Sequence, residues 1–139
     1  MLADADVDKT VEGAVRTSFS SAGQLCLSTE RIFVHSSVAP AFLERFVKRT
    51  KEITLGTSLS YGVGMGSLAG RRQLETVSRH VGQAVAEGAT VLTGGKPRPD
   101  IGPFFYEPTV LDGVEPTMAV HAEETFGPVV SVYRFTDED

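Results

Sequence analysis

Cysteine is nearly absent from this chain: one residue, Cys26, stands among 139. It cannot close an internal disulfide, and there is no cysteine cluster to hold a structural zinc. Basic charge is also short. Lys plus Arg number 13 against 18 for Asp plus Glu, giving a net charge of −5 and a pI near 5.2. That balance argues against a protein that tracks nucleic-acid phosphates, which needs a basic stripe. No apolar run approaches the ~20 residues of a membrane span. The first six residues lack a basic stretch ahead of an apolar core, so no secretory signal is expected there. Internal repeats and low-complexity tracts are missing as well. What is present is an ordinary globular mix, 41% apolar and 22% charged. The length suits about one domain, expected in the cytoplasm with neither nucleic-acid nor membrane partners.

Periodicity supplies the elements. Val7, Val11, Ala14, Val15 and Phe19 fall on one helical face, with Asp4 or Asp6 as cap and Gly23 as stop. A β-branched and aromatic strand follows over 31–35. Ser36 or Ser37 is expected to cap the next helix, with Pro40 in its first turn; its buried stripe is Phe42, Leu43, Phe46, Val47 and Ile53, and Gly56 ends it. Residues 56–70 read as a glycine-rich connection. A third helix is expected over about 71–87, with Leu74, Val77, Val81 and Val85 inward, His80 near its polar face and Gly88 as a left-handed cap. Short strands are expected over 90–92, 109–111 and 129–135. Pro108 places the second of these at a strand start or a sheet edge. Helices alternating with strands predict an α/β fold with a largely parallel sheet.

Two glycine clusters tempt a phosphate-binding reading and fail it. Gly94-Gly95-Lys96 would need a glycine and a following Ser or Thr where Thr90 and Pro97 stand. Gly62-Val63-Gly64-Met65-Gly66 lacks the third glycine of a dinucleotide fingerprint at its proper spacing. Both read as turns. His35, His80 and His121 share no metal-ligand spacing, so no metal site is expected.

Two spots carry chemistry. Cys26 follows a glycine turn between a helix and a strand. Such a junction can expose a thiol among backbone N–H groups that favour the thiolate; the competing reading is a small buried hydrophobe. Glu123-Glu124-Thr125-Phe126-Gly127-Pro128 sets two carboxylates before an aromatic and a rigid turn. It is either a solvated acidic pair or a carboxylate fixed to receive a diol, such as that of a ribose, by charge-assisted hydrogen bonds.

Taken together, these segments resemble the aldehyde dehydrogenase superfamily. Ser21-Ala22-Gly23-Gln24-Leu25-Cys26 followed by Arg31-Ile32-Phe33-Val34 is similar to its nucleophile segment, and Glu123-Glu124-Thr125-Phe126-Gly127-Pro128-Val129 to its cofactor-ribose segment. Met65-Gly66-Ser67-Leu68, Gly88-Ala89-Thr90-Val91-Leu92 with Gly94-Gly95, and Tyr106-Glu107-Pro108-Thr109-Val110-Leu111 follow the same pattern in order. The resemblance covers essentially the whole chain. It implies Cys26 as the nucleophile that attacks an aldehyde carbonyl, with its own N–H as half of an oxyanion hole. It further implies NAD or NADP as hydride acceptor, Glu124 as ligand of the nicotinamide-side ribose, Phe126 packed against that cofactor, and Gln24 and Leu25 as walls around the thiol. Arg31 belongs to the pattern and is assigned a structural role. The wording around Cys26 and over 4–19 is most similar to the succinate-semialdehyde dehydrogenase branch.

The same resemblance implies that 1–139 is one partial domain, the central part of a three-layer-type catalytic domain truncated at both ends. The family's general-base glutamate, its oxyanion-hole asparagine, its nucleotide-binding half and its oligomerisation strand find no counterpart here. Most of the cofactor's pocket is therefore expected outside the chain, the isolated chain is expected not to turn over, and it is expected to self-associate through apolar faces. The longer protein is expected to be a homo-oligomer. Two other classes remain open: a non-catalytic module that kept the fold, and a cysteine hydrolase pairing Cys26 with one of the histidines.

Overall fold

The computed structural model describes residues 1–59 and 61–137. The chain opens into α1 (Val7–Phe19). Asp6 caps it, its carboxylate accepting the Lys9 N–H at 3.1 Å, which satisfies one of the free donors of the first turn. Val11, Val15 and Phe19 form the buried face. After a tight turn over Ser20–Gly23 the chain enters β1 (Arg31–His35), then α2 (Ala39–Lys51). Asp8 and Glu12 of α1 pair with Arg45 and Arg49 of α2 at 2.7 and 2.9 Å, and Phe19 stacks on Phe46 between the two helices.

The start of α2 differs from expectation. Its cap residue is Val38, with no side-chain cap bond. Ser36 and Ser37 serve other partners: the Ser36 hydroxyl and N–H both donate to the Phe135 carbonyl, and Ser37 meets the His35 ring. Pro40 does sit in the first turn. The helix also ends earlier than Gly56, at Lys51, so Ile53 lies beyond it, and the fully buried residue of its last turn is Thr50. The Thr50 hydroxyl donates to the Phe46 carbonyl, which is how a polar side chain is tolerated there.

The connection from 56 to 70 brings Leu55 beside Met65 and leads to α3 (Arg71–Ala86); Ser60 lies outside the described residues. Val77 and Val81 face inward as expected, but Val85 is about half exposed, because the inward line of the helix passes through Ala84 instead. His80 is fully buried rather than on the polar face. The remaining elements are β2 (Thr90–Thr93), β3 (Thr109–Asp112), α4 (Ala119–Ala122) and β4 (Val129–Phe135).

The four strands form one sheet in the order β1-β4-β3-β2. β4 runs parallel to both β1 and β3, and only β2 is antiparallel, so the sheet is largely parallel. Pro108 stands immediately before β3, at a strand start but not at a sheet edge, since β3 lies between β4 and β2. Burial follows position. The first four residues of β4 and the first three of β3 are all buried, whereas β1, at the edge, alternates. Central parallel strands covered on both faces need continuous apolar runs, and Val129-Val130-Ser131-Val132 and Thr109-Val110-Leu111 are nearly that. The core is built from Val34, Val110, Leu111, Val130 and Val132 of the sheet against Phe42, Phe46 and Val77 of the helices. The carboxylate of Asp112 is clamped by the Arg134 guanidinium at 2.7 and 2.8 Å, which holds its pKa below the usual value. Parallel pairing puts the loops entering β1 and β4 at one end of the sheet, so the residues before Arg31 and before Val129 are neighbours.

Candidate active site

Those two loops are the two spots singled out in the sequence. In the first, Ser21, Ala22 and Gly23 adopt φ of 51°, 55° and 69° in succession. Left-handed backbone costs an L-residue on the order of 1 kcal/mol or more, so tertiary contacts must over-determine this turn. One such contact is backbone to backbone. A Cβ on Gly23 would stand 2.0 Å from the Gly127 carbonyl oxygen, so the glycine lets the first turn press directly on the second. A second contact is Gln24. Its Nε2 donates to the carbonyls of Ser21 (3.1 Å) and Ser67 (3.4 Å), and its Oε1 accepts the Ala69 N–H at 2.7 Å. The loop then closes through Ser28 N–H to Leu25 O and Thr29 N–H to Thr17 O. Cys26, at its tip, is exposed, which removes the buried-hydrophobe reading.

The second turn follows α4. Phe126 holds φ of 50°, and Gly127 is pressed between Gly23 and Val77. Three side chains hold it, one from the entrance of β1 and two from α3. Glu30, just before β1, accepts the Thr125 N–H at 3.1 Å and the Phe126 N–H at 2.7 Å. Gln73 of α3 donates to the carbonyls of Thr125 and Phe126 at 2.6 and 2.7 Å. His80, one helical stretch further on, bridges Glu123 at 3.2 Å and the Thr125 hydroxyl at 3.0 Å. A carboxylate only accepts, so Nε2 donates to Glu123, while Nδ1 faces the threonine hydroxyl.

Between the turns opens a cleft of about 610 Å³, lined by Leu25, Cys26, Glu30, Arg31, His121 and Glu124, among others. The two residues of greatest interest, Cys26 and Glu124, thus share one cavity. Glu124 is exposed and, among the described residues, makes no hydrogen bond or ion pair. Its neighbour Glu123 is engaged by His80 and by Arg79 at 3.7 Å. Of the acidic pair, then, one carboxylate is structural and the other is available.

Not every residue named for the site lines this cleft. Leu25 does, but Gln24 does not, because its amide is turned toward residues 67–69. Phe126 does not either; it is half-buried beside the cleft, with its main chain held by Glu30 and Gln73. Arg31, taken as structural, has an exposed side chain on the cleft rim. Glu30 and Gln73 escape the sequence reading altogether, and His80 is read there only as a polar-face residue. Each meets the second turn across 43 residues or more, and no local pattern encodes such a contact. The histidines do not supply a base for the thiol. His35 meets Ser37, His80 is buried, and His121 lines the cleft but shares its hydrogen bond with the Tyr133 hydroxyl at 2.9 Å. Among the described residues Cys26 makes no hydrogen bond to any of them, so the contact a cysteine hydrolase uses is not made. Nor do the described residues contain a group of three potential metal ligands, or a helix long and apolar enough to cross a membrane.

The sequence pattern of the aldehyde dehydrogenase family matches residues 1–139. A Mycobacterium tuberculosis protein, provisionally named as an NADP+ succinate-semialdehyde dehydrogenase, is 53% identical over 135 residues, which are 97% of this chain and 26% of that protein. The crystal structure of succinate-semialdehyde dehydrogenase from Burkholderia pseudomallei superposes with a TM-score of 0.94 at 39% identity, over 99% of this chain and 28% of its own. Betaine aldehyde dehydrogenase from Staphylococcus aureus, solved with NAD+, gives 0.92 at 34% identity, over 98% and 28%. The chain therefore spans about a quarter of the length of the proteins it matches.

Proposed function

Since this chain belongs to the aldehyde dehydrogenase family, we propose that it carries the thiol and the ribose-binding carboxylate of an NAD(P)-dependent oxidation of an aldehyde to a carboxylic acid, with succinate semialdehyde as substrate. The observation that carries this reading is the shared cleft, which an exposed Cys26 and an unengaged Glu124 both line. The substrate rests on the likeness to proteins named for succinate semialdehyde.

The chemistry follows from what each residue can do. The Cys26 sulfur, as thiolate, bonds to the aldehyde carbon and leaves a tetrahedral oxyanion. In this reading the Cys26 backbone N–H donates to that oxygen as it gains charge. A bound nicotinamide dinucleotide supplies the acceptor for the hydride that leaves the carbon. The product on the protein is a thioester at Cys26, and water releases the acid and restores the thiolate. Glu124, with two open carboxylate oxygens, fits a vicinal diol, because two O–H donors meet two charged acceptors. The sequence segments that complete the pocket and supply a general base in this family are not found in these 139 residues, and base catalysis alone is worth ~10²–10⁴-fold. We therefore read the chain as the central part of the catalytic domain, with a Cys26 open to alkylation but no turnover by itself.

Reduction of NADP+ or NAD+ by succinate semialdehyde, measured with the enzyme that carries this chain, tests the reading. Activity is expected to vanish in Cys26→Ser. Undiminished turnover by that variant overturns it.

A further inference from the structure

We propose that Glu30 is a positioning residue of this site: its carboxylate clamps the turn bearing Glu124 to the strand that follows Cys26, and so sets the distance between the thiol and the bound ribose. The purpose of the clamp rests on the dehydrogenase reading above; its existence does not.

The geometry points this way for three reasons. First, the backbone of Glu30 is fixed independently of its side chain. Its carbonyl accepts the Ser131 N–H at 2.9 Å, which locks it to the β1–β4 ladder. The side chain therefore reaches the second turn from a rigid base. Second, it takes two consecutive N–H groups. Oε1 accepts from Thr125 (3.1 Å) and Phe126 (2.7 Å), and Oε2 also lies 3.1 Å from the Thr125 nitrogen. Successive N–H groups aimed at one point are an anion cradle, and here the anion is the protein's own carboxylate. Such charge-assisted bonds are roughly twice as strong as neutral ones. Third, the turn needs an outside anchor. Phe126 holds a φ of 50°, which an L-residue keeps only when its surroundings impose it. Glu124 lies one residue before this clamped pair, so the aim of its open carboxylate depends on where Thr125 and Phe126 are held.

The loop bearing Cys26 does not lean on the Glu30 side chain. It is closed by main-chain bonds and by Gln24. The clamp is thus one-sided, and its loss should release the Glu124 turn while leaving the thiol in place.

Amide hydrogen exchange on this chain tests the clamp directly. In Glu30→Ala, exchange at Thr125 and Phe126 is expected to quicken at least tenfold, with β3 and β4 amides and the rate of iodoacetamide alkylation of Cys26 within twofold of the parent. Glu30→Gln keeps the side-chain length and one neutral acceptor, and should restore part of the protection; it carries the same comparison if the alanine variant does not fold. Unchanged exchange at Thr125 and Phe126, or equal quickening throughout the sheet, overturns the proposal. In the enzyme that carries this chain, Glu30→Ala should raise the KM for NADP+ about tenfold and change kcat less than threefold. A fall in kcat at constant KM also overturns it. An enzyme without aldehyde-dependent NADP+ reduction before any substitution refutes the dehydrogenase reading instead, and the exchange measurement still decides the clamp.

Discussion

At the Cys26 turn three successive residues hold positive φ, and the contacts that keep them there are mostly main chain, with Gly23 against Gly127 at their centre. At the Glu124 turn one non-glycine residue, Phe126, holds positive φ, and the contacts come from side chains reaching in from α3 and from the entrance of β1. Both turns shape one cleft, yet they fail differently. A main-chain contact is lost only by adding atoms, whereas a side-chain contact is lost by removing them. The first turn should therefore be sensitive to enlargement and the second to truncation.

The largest effect tests the first half of that contrast. Gly23→Ala places a Cβ 2.0 Å from a main-chain oxygen, and it does so at a φ of 69°. Neither partner can rotate away. A loss of ~3 kcal/mol or more is expected in urea unfolding. Gly127→Ala should cost less, because its new Cβ meets Val77 Cγ2, the end of a side chain that can turn. Equal losses would erase the distinction between the turns.

Truncation on the second turn comes next. His80→Ala empties a fully buried site and strips partners from Thr125 and Glu123. A cost of roughly 2–3 kcal/mol is expected from cavity and unpaired polar groups together. Cys26 alkylation should be unaffected by it, since no bond links His80 to the first turn.

An alkaline challenge acts on neither turn and calibrates both. Tyr106 is nearly fully buried, and burial raises its phenol pKa from 10.0 to about 12. The neutral phenol is favoured by the fold, so its stabilisation is complete below pH 10 and is lost as pH rises from 10 toward 12. At 1.36 kcal/mol per unit, roughly 3 kcal/mol at most is at stake. Probes on the two turns should report this loss together, and Tyr106→Phe should flatten it. Divergent transitions would mean the turns unfold as separate units.

How much of this was legible follows from the same contrast. The helices and strands were readable because periodicity is local. So were the two turns, because Gly23, Cys26, Glu124 and Gly127 mark them in the chain. The anchors of the second turn were not. From sequence His80 reads as a polar-face residue, because histidine is usually half-exposed, and only the distant Glu123 and Thr125 make its burial tolerable. Ser36 and Ser37 look like helix caps by their position, but a long-range carbonyl, that of Phe135, claims Ser36 first. Gln24 stands two residues before Cys26 and turns away from the cleft, because Ser21, Ser67 and Ala69 claim its amide. Contacts made by side chains across the fold leave no periodic trace, and the second turn is built from them.

A smaller effect separates the anchors of the second turn from one another. Gln73→Ala removes two neutral, part-buried hydrogen bonds from the Thr125 and Phe126 carbonyls. About 1 kcal/mol is expected, with exchange quickening near Phe126 but less than in Glu30→Ala, because Glu30 is charged and Gln73 is not.

The smallest effect on stability concerns the residue of greatest chemical interest. Cys26 is exposed, and among the described residues it makes no hydrogen bond, so nothing in the fold depends on its sulfur. Cys26→Ser should leave the unfolding midpoint within ~0.5 kcal/mol of the parent. As Cys26 is the only thiol in the chain, iodoacetamide labelling should disappear entirely. A loss above 1 kcal/mol would mean that the thiol is packed as a hydrophobe, and the first turn would then be a piece of core. Stability untouched and labelling abolished is the pattern of a turn whose strained backbone, pressed glycine and bonded glutamine hold one side chain exposed and without a hydrogen bond.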